Sequence, residues 1–164
     1  MGRAGVHGIV SEGSGVGMTP LADVIAGLKR NELALKFALE REVRLGMEEA
    51  AKLAKGFIGQ EMPGWDPLTA STLADKERQG YETPAPLKRT GELRDSIKGE
   101  AESVPGGVLG IVESDDETAL FHEIGTSREP PRPFLGPALM LTEPILATAL
   151  NELAVRLVTP GARP

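Results

Sequence analysis

Apolar residues recur at helical spacing from Leu21 onward. Leu21, Val24, Ile25 and Leu28 are followed by Leu35, Leu39, Val43, Met47, Ala50, Ala51, Ala54 and Ile58, with Lys, Arg and Glu on the positions between. An apolar stripe of this period on an otherwise charged segment is the mark of an amphipathic helix, and it predicts one helix to about Phe57 or two joined near Gly46. Thr19 stands where an N-cap belongs, Pro20 suits the first helical position and Asp23 lies in the first turn. Unbroken, such a helix is on the order of 55 Å long at ~1.5 Å per residue. One small core does not cover that length, so part of the helix either packs on a neighbouring subunit or folds back at Asn31 or Gly46.

The pattern then shortens. Residues 59–68 are marked by Pro and Gly and hold Trp65, the only tryptophan, which reads first as a core anchor and second as an interface anchor. Thr69 or Ser71 caps a short helix running through Lys76 and Arg78, and Pro84 and Pro86 keep residues 80–86 irregular. Thr90 is the expected cap of a second short helix over 91–97, with Leu93 and Ile97 facing inward. Residues 99–104 and 108–113, split by Pro105-Gly106-Gly107, predict a β-hairpin. A turn over 114–117 opens a short helix over 118–124, which Gly125 stops as a C-cap glycine. Over 137–158, Ala138, Leu141, Ile145, Ala149, Leu153 and Leu157 mark the inward face of a last helix that Pro144 bends or restarts.

Composition narrows the class. At 164 residues the chain is most simply one domain, since domains commonly run about 100 to 200 residues. Aromatics make up only 4% of it while Ala and Leu abound, so helix packing supplies most of the core. The expected fold is a helix-rich α+β single domain over 19–164, with a long N-terminal helix, a short antiparallel sheet and a C-terminal helix. Residues 1–18, with glycines at 2, 5, 8, 13, 15 and 17, are expected to be a flexible arm, because ordering them costs much backbone entropy and buries little. The Gly13-Ser14-Gly15-Val16-Gly17 run lacks the strand before it and the Lys-Ser/Thr after it that a phosphate loop needs. A net charge of -6 disfavours a surface that grips nucleic acid. No run reaches the ~18 to 20 apolar residues of a membrane span, and no secretory h-region opens the chain, so a soluble protein made in the cytosol is expected.

Catalytic chemistry finds few carriers. There are no cysteines, which excludes disulfides, thiolate metal sites and a cysteine nucleophile. His122-Glu123 invites comparison with the zinc motif His-Glu-x-x-His, but Thr126 stands where the second histidine belongs and the only other histidine is His7. The acidic cluster Glu113, Asp115, Asp116 and Glu117 lacks the spacing and central glycine of a calcium loop and reads as a solvated turn. No catalytic residue, metal or cofactor is expected.

The stretch over 121–139, FHEIGTSREPPRPFLGPAL, is built differently. Prolines at 130, 131 and 133 fix φ and remove donors, and Pro130 and Arg132, each followed by proline, are pushed toward extended backbone. A stiff arm thereby presents Arg128, Arg132 and Phe134. Phe134 and Leu135 should plug a pocket in the same subunit or in the next. Arg128 and Arg132 either meet acidic residues of a neighbour or stay solvated.

That stretch resembles the C-terminal signature of tailed-bacteriophage neck and tail-completion proteins. Upstream, Trp65-Asp66-Pro67-Leu68 with Thr69, Thr72 and Lys76, followed by Leu87-Lys88-Arg89-Thr90-Gly91-Glu92-Leu93-Arg94-Asp95-Ser96-Ile97, resembles a second pattern of the phage virion morphogenesis family. The two occur in the family's order and together span roughly residues 60 to 140; nothing before residue 60 matches. The resemblance implies a non-enzymatic structural protein of the virion, made in the host cytoplasm and assembled as a closed homo-oligomeric ring of about six or twelve copies. Such a ring joins the head connector to the tail, between portal or head-closure adaptor and tail terminator or tail tube, with DNA passing through unread and no membrane involved. On this reading Gly125, Thr126, Arg128, Pro131, Arg132, Pro133, Phe134 and Leu135 form an intersubunit latch. Other readings are a tail-terminator ring, a small virion-maturation peptidase using His122 and Glu123, and a nucleic-acid-binding accessory protein.

Overall fold

A computed structural model describes residues 21–158, with side chains over 32–156. The expected arm over 1–18 and the cap at Thr19-Pro20 lie outside the described residues. The chain forms two compact units, Met1–Leu33 and Ala34–Pro164. In the first, the described residues are helical.

The fold is α+β and helix-rich: helix α1 (Leu21–Phe57), α2 (Ala70–Gln79), α3 (Glu92–Ser96), strands β1 (Ile97–Val104) and β2 (Gly107–Ser114), then α4 (Thr118–Ile124) and α5 (Leu135–Val158). α1 is one helix, with no break at Asn31 or Gly46. Gly46 serves packing instead: a Cβ there would stand 3.1 Å from Leu146 Cδ1, so α5 lies close against α1 at this point. Residues 32–37 of α1 are all exposed, Leu33 and Phe37 included.

β1 and β2 pair antiparallel from Ile97↔Ser114 to Val104↔Gly107, and Gly106, at φ 85, supplies the left-handed position of the two-residue turn. Both strands extend further than predicted, because Ile97 leaves α3 and enters the sheet. The inner face of the hairpin carries Ile97, Gly99, Ala101, Gly110 and Val112; Lys98, Glu100, Glu102 and Glu113 point outward and are exposed. Small inner residues let the sheet lie on α1 almost in backbone contact. A Cβ on Gly99 would fall 2.0 Å from the Met47 carbonyl oxygen, and one on Gly110 would fall 2.7 Å from Met47 Sδ. At the hairpin tip the Ser103 hydroxyl donates to Glu40 Oε2 at 3.1 Å.

The core joins Ala51 and Ala54 of α1, and Ile58 just after it, to Leu93, Ile97, Ala119, Phe134 and Ala138, with Trp65, Leu87, Val112 and Leu135 packed on it. Trp65 is thus a core residue, half-buried beneath its loop. Three local expectations shift. Thr69 caps α2, its Oγ1 accepting from Thr72 N–H at 3.2 Å, but Thr90 does not cap α3. Gly91 takes that place at φ 99, while Thr90 Oγ1 accepts from the Glu92 N–H at 3.4 Å and donates to Glu92 Oε2 at 2.9 Å. α5 starts at Leu135 and carries Pro144 inside it without ending.

The inward face of α5 also differs from the predicted one. Ala138 and Thr142 are buried, with Leu146, Ala149, Leu150 and Leu153 half-buried, whereas Leu141 and Ile145 are exposed. Thr142 was passed over as polar, yet its hydroxyl donates to the Ala138 carbonyl at 2.9 Å and so enters the core satisfied. The expectation that no segment matches a membrane span fails on length and average composition: Leu135–Arg156 is long and apolar enough, and only 11% of its most apolar window is buried. Glu143, Pro144 and Glu152 interrupt it, and its root is fastened into the core described above.

Candidate functional site

The proline-rich stretch folds inward. Asp116 Oδ1 accepts from the N–H and hydroxyl of Thr118, at 2.8 and 2.6 Å, and opens α4; these bonds hold its carboxyl below the usual aspartate range. α4 ends at Gly125, at φ 76, whose N–H donates to Phe121 O at 2.8 Å. Glycine is required there twice over, since a Cβ would also lie 2.8 Å from Pro131 N. Thr126 then closes a tight loop: its Oγ1 accepts from the N–H groups of Arg128 and Glu129 at 3.2 and 3.0 Å, and its own N–H donates to Glu129 O at 2.9 Å. The chain returns to α4 through Arg132 N–H, which donates to His122 O at 2.7 Å.

Glu123 completes the junction. Its Oε2 accepts from the N–H groups of Phe134 and Leu135 at 2.8 and 3.0 Å, and its Oε1 from Gly136 N–H at 2.8 Å. These are orphan donors at the start of α5, and a carboxylate there also meets the positive end of the helix dipole. His122-Glu123 is therefore a structural pair. No group of three or more metal-ligating His, Cys, Asp or Glu occurs among the described residues.

The expected latch is corrected accordingly. Phe134 is 0% exposed and sits in its own chain's core, with Leu135 packed beside it; the pocket it plugs is in the same subunit. Arg132 is 8% exposed, neither solvated nor paired with a carboxylate: one terminal nitrogen donates to Asp66 O at 2.9 Å, on the loop that carries Trp65. Gly125, Thr126, Pro131 and Pro133 shape the loop. Only Arg128, Thr126 and Pro131 keep exposed side chains.

Two surfaces result. One is a cleft of about 620 Å³ between α2, the loop before α3 and the stretch 128–132, lined among others by Thr72, Lys76, Arg89, His122, Arg128 and Arg132. Lys76 is 3% exposed. Its ammonium donates to the carbonyls of Ala85 and, at 2.8 Å, Lys88, clamping a turn in which Leu87 takes φ 60. Burial lowers its pKa from the usual lysine range. The sequence analysis gives Lys76 no buried role; its spacing, three residues after Leu73 and four after Thr72, is the signal that places it on the inward face. The other surface is apolar: Leu120, Phe121 and Ile124 on α4, and Met140, Leu141 and Ile145 on α5, are each more than half exposed.

His122 gives the cleft a group that titrates below the usual histidine range. Burial pushes its pKa down, with Arg132 acting in the same direction and Glu129 and Asp116 opposing. The unfolded chain therefore takes up this proton first, near pH 6.5, and stability should fall as pH drops below that value, levelling once the folded state is protonated as well. The carboxylates with lowered pKa lose their contributions only at lower pH. Urea midpoints at pH 7.5 and pH 5 should differ for the parent protein, and the difference should shrink in His122→Gln; an equal difference in both would assign it elsewhere.

No protein-family model, curated protein or solved structure matches this chain.

Proposed function

We propose that the protein is a structural subunit of a phage neck, assembling with copies of itself into a ring that joins head connector to tail around the DNA channel. The observation that carries the reading is the apolar surface left open on α4 and α5. Six large apolar side chains more than half exposed on two helices exceed what single scattered residues would explain, and mark a protein contact. The exposed residues 32–37 of α1 support the same reading, and the sequence resemblance supplies its biological setting. A tail-terminator ring would use the same surface. The peptidase reading has less support, since both Glu123 carboxylate oxygens are engaged in capping α5.

The mass of the purified protein, and its presence in particles, test the proposal. A multimer that is also found in virions is expected; a persistent monomer absent from virions overturns it. Leu141→Asp combined with Ile145→Asp should weaken self-association roughly a hundredfold or more, because two side chains each worth about 1.5–3 kcal/mol on burial are lost. Sedimentation at graded concentrations reads that shift, and an unchanged dissociation constant would remove α5 from the contact.

A further inference from the structure

We propose that the cleft beside α2 receives an acidic peptide segment of a partner protein, its carboxylates met by Arg128 and Arg132. Five cationic side chains line it, Lys76, Lys88, Arg89, Arg128 and Arg132, against three acidic ones, Glu92, Asp116 and Glu129, on a chain whose net charge is -6. Lys88 and Arg89 are paired with Glu82 and Asp75. Lys76, Arg128 and Arg132 form no ion pair among the described residues, and two of these three are almost fully buried.

A buried cation without a counter-charge is costly, and a cation that keeps an unfilled donor is costlier. Arg132 is in that position: it lines the cleft, is 8% exposed, and its Nε has no acceptor. Lys76 gives two of its three N–H donors to carbonyls, which carry no charge to offset its own. Arriving carboxylates would supply the missing charge. The cleft is far larger than one small anion, and Leu68, Tyr81, Leu87 and Pro130 give it apolar wall, which suits a peptide with side chains between its acids. A nucleic-acid backbone is disfavoured by the chain's net charge and by the three acids in the cleft. The proposal is independent of the ring reading, because none of the cleft residues belongs to the apolar surface of α4 and α5.

Fluorescein-labelled hexaglutamate titrated into the full-length protein tests it, with hexalysine and a short DNA duplex in parallel. Saturable hexaglutamate binding is expected, with amide shifts concentrated at Thr72, Lys76 and His122. Arg128→Glu, at an exposed side chain, should weaken it roughly tenfold, the size of one charge-assisted hydrogen bond. Arg132→Lys should weaken it as well; if that variant misfolds, Arg128→Glu decides alone. The proposal is overturned by absence of binding at millimolar peptide, by unchanged affinity in Arg128→Glu, by equal binding of hexalysine, or by tighter binding of the duplex.

Discussion

Gly99→Ala is expected to destabilise the protein by roughly 3 kcal/mol or more, beyond the common range for overpacking, and to lower Tm on the order of 10 °C for a chain of this size. The new methyl carbon would stand 2.0 Å from Met47 O, 2.3 Å from Met47 C and 2.7 Å from Glu48 N. All three are backbone atoms of α1, which cannot turn aside as a side chain can, so the hairpin must lift from the helix. Two comparisons make the expectation specific. Gly110→Ala meets the Met47 side chain, which is unbranched and can repack, and should cost less. Gly107→Ala meets nothing within 4 Å and should be near neutral. Thermal melts of the three variants check the ranking; a Gly99→Ala protein as stable as Gly107→Ala would mean that the hairpin does not rest on α1 in this way.

Glu123→Ala is expected to cost on the order of 2–3 kcal/mol, above an ordinary N-cap loss, because one carboxylate serves three N–H groups in a half-buried place. Glu123→Gln keeps one carbonyl oxygen but loses the charge and the second acceptor, and should fall between parent and alanine variant. Hydrogen exchange at Phe134, Leu135 and Gly136 reads the effect directly: these amides should exchange faster in both variants, while those of β1 and β2 stay protected. Unchanged exchange at the three amides would show that the cap contributes nothing.

Both residues show where sequence reading ran out. Helices, hairpin and turns follow from local signals: the apolar stripe of α1, Thr69 before α2, Pro105-Gly106 between the strands, Gly125 after α4. Gly99 and Gly110 look like weak points in a strand until the opposite surface is known to be α1, the backbone of Met47 and Glu48 against Gly99 and the side chains of Met47 and Val43 against Gly110, partners some fifty residues or more away. Glu123 reads as half of a broken zinc motif because the donors it serves lie on another helix. The burial of Arg132 and Lys76 is not legible in the sequence, since a cation held by distant carbonyls leaves no mark near itself in the chain. On α5 the predicted face holds at Ala138, Ala149 and Leu153 and misses at Leu141 and Ile145, because these two outrank Thr142 in apolarity while Thr142 hides its hydroxyl against Ala138. The proline-rich stretch was legible as a rigid element; that its rigidity faces inward, around Phe134, was not.

The Glu123 cap also sets how movement could pass through the protein. α4 is only two turns long, and Glu123, between the exposed Phe121 and Ile124, is the residue that grips the root of α5. Whatever seats itself on Leu120, Phe121 or Ile124 handles a short crank whose other end is geared to a much longer shaft. A small rotation of α4 must either carry α5 with it or strip three hydrogen bonds at once, so contact made at one helix is felt along the whole length of the other.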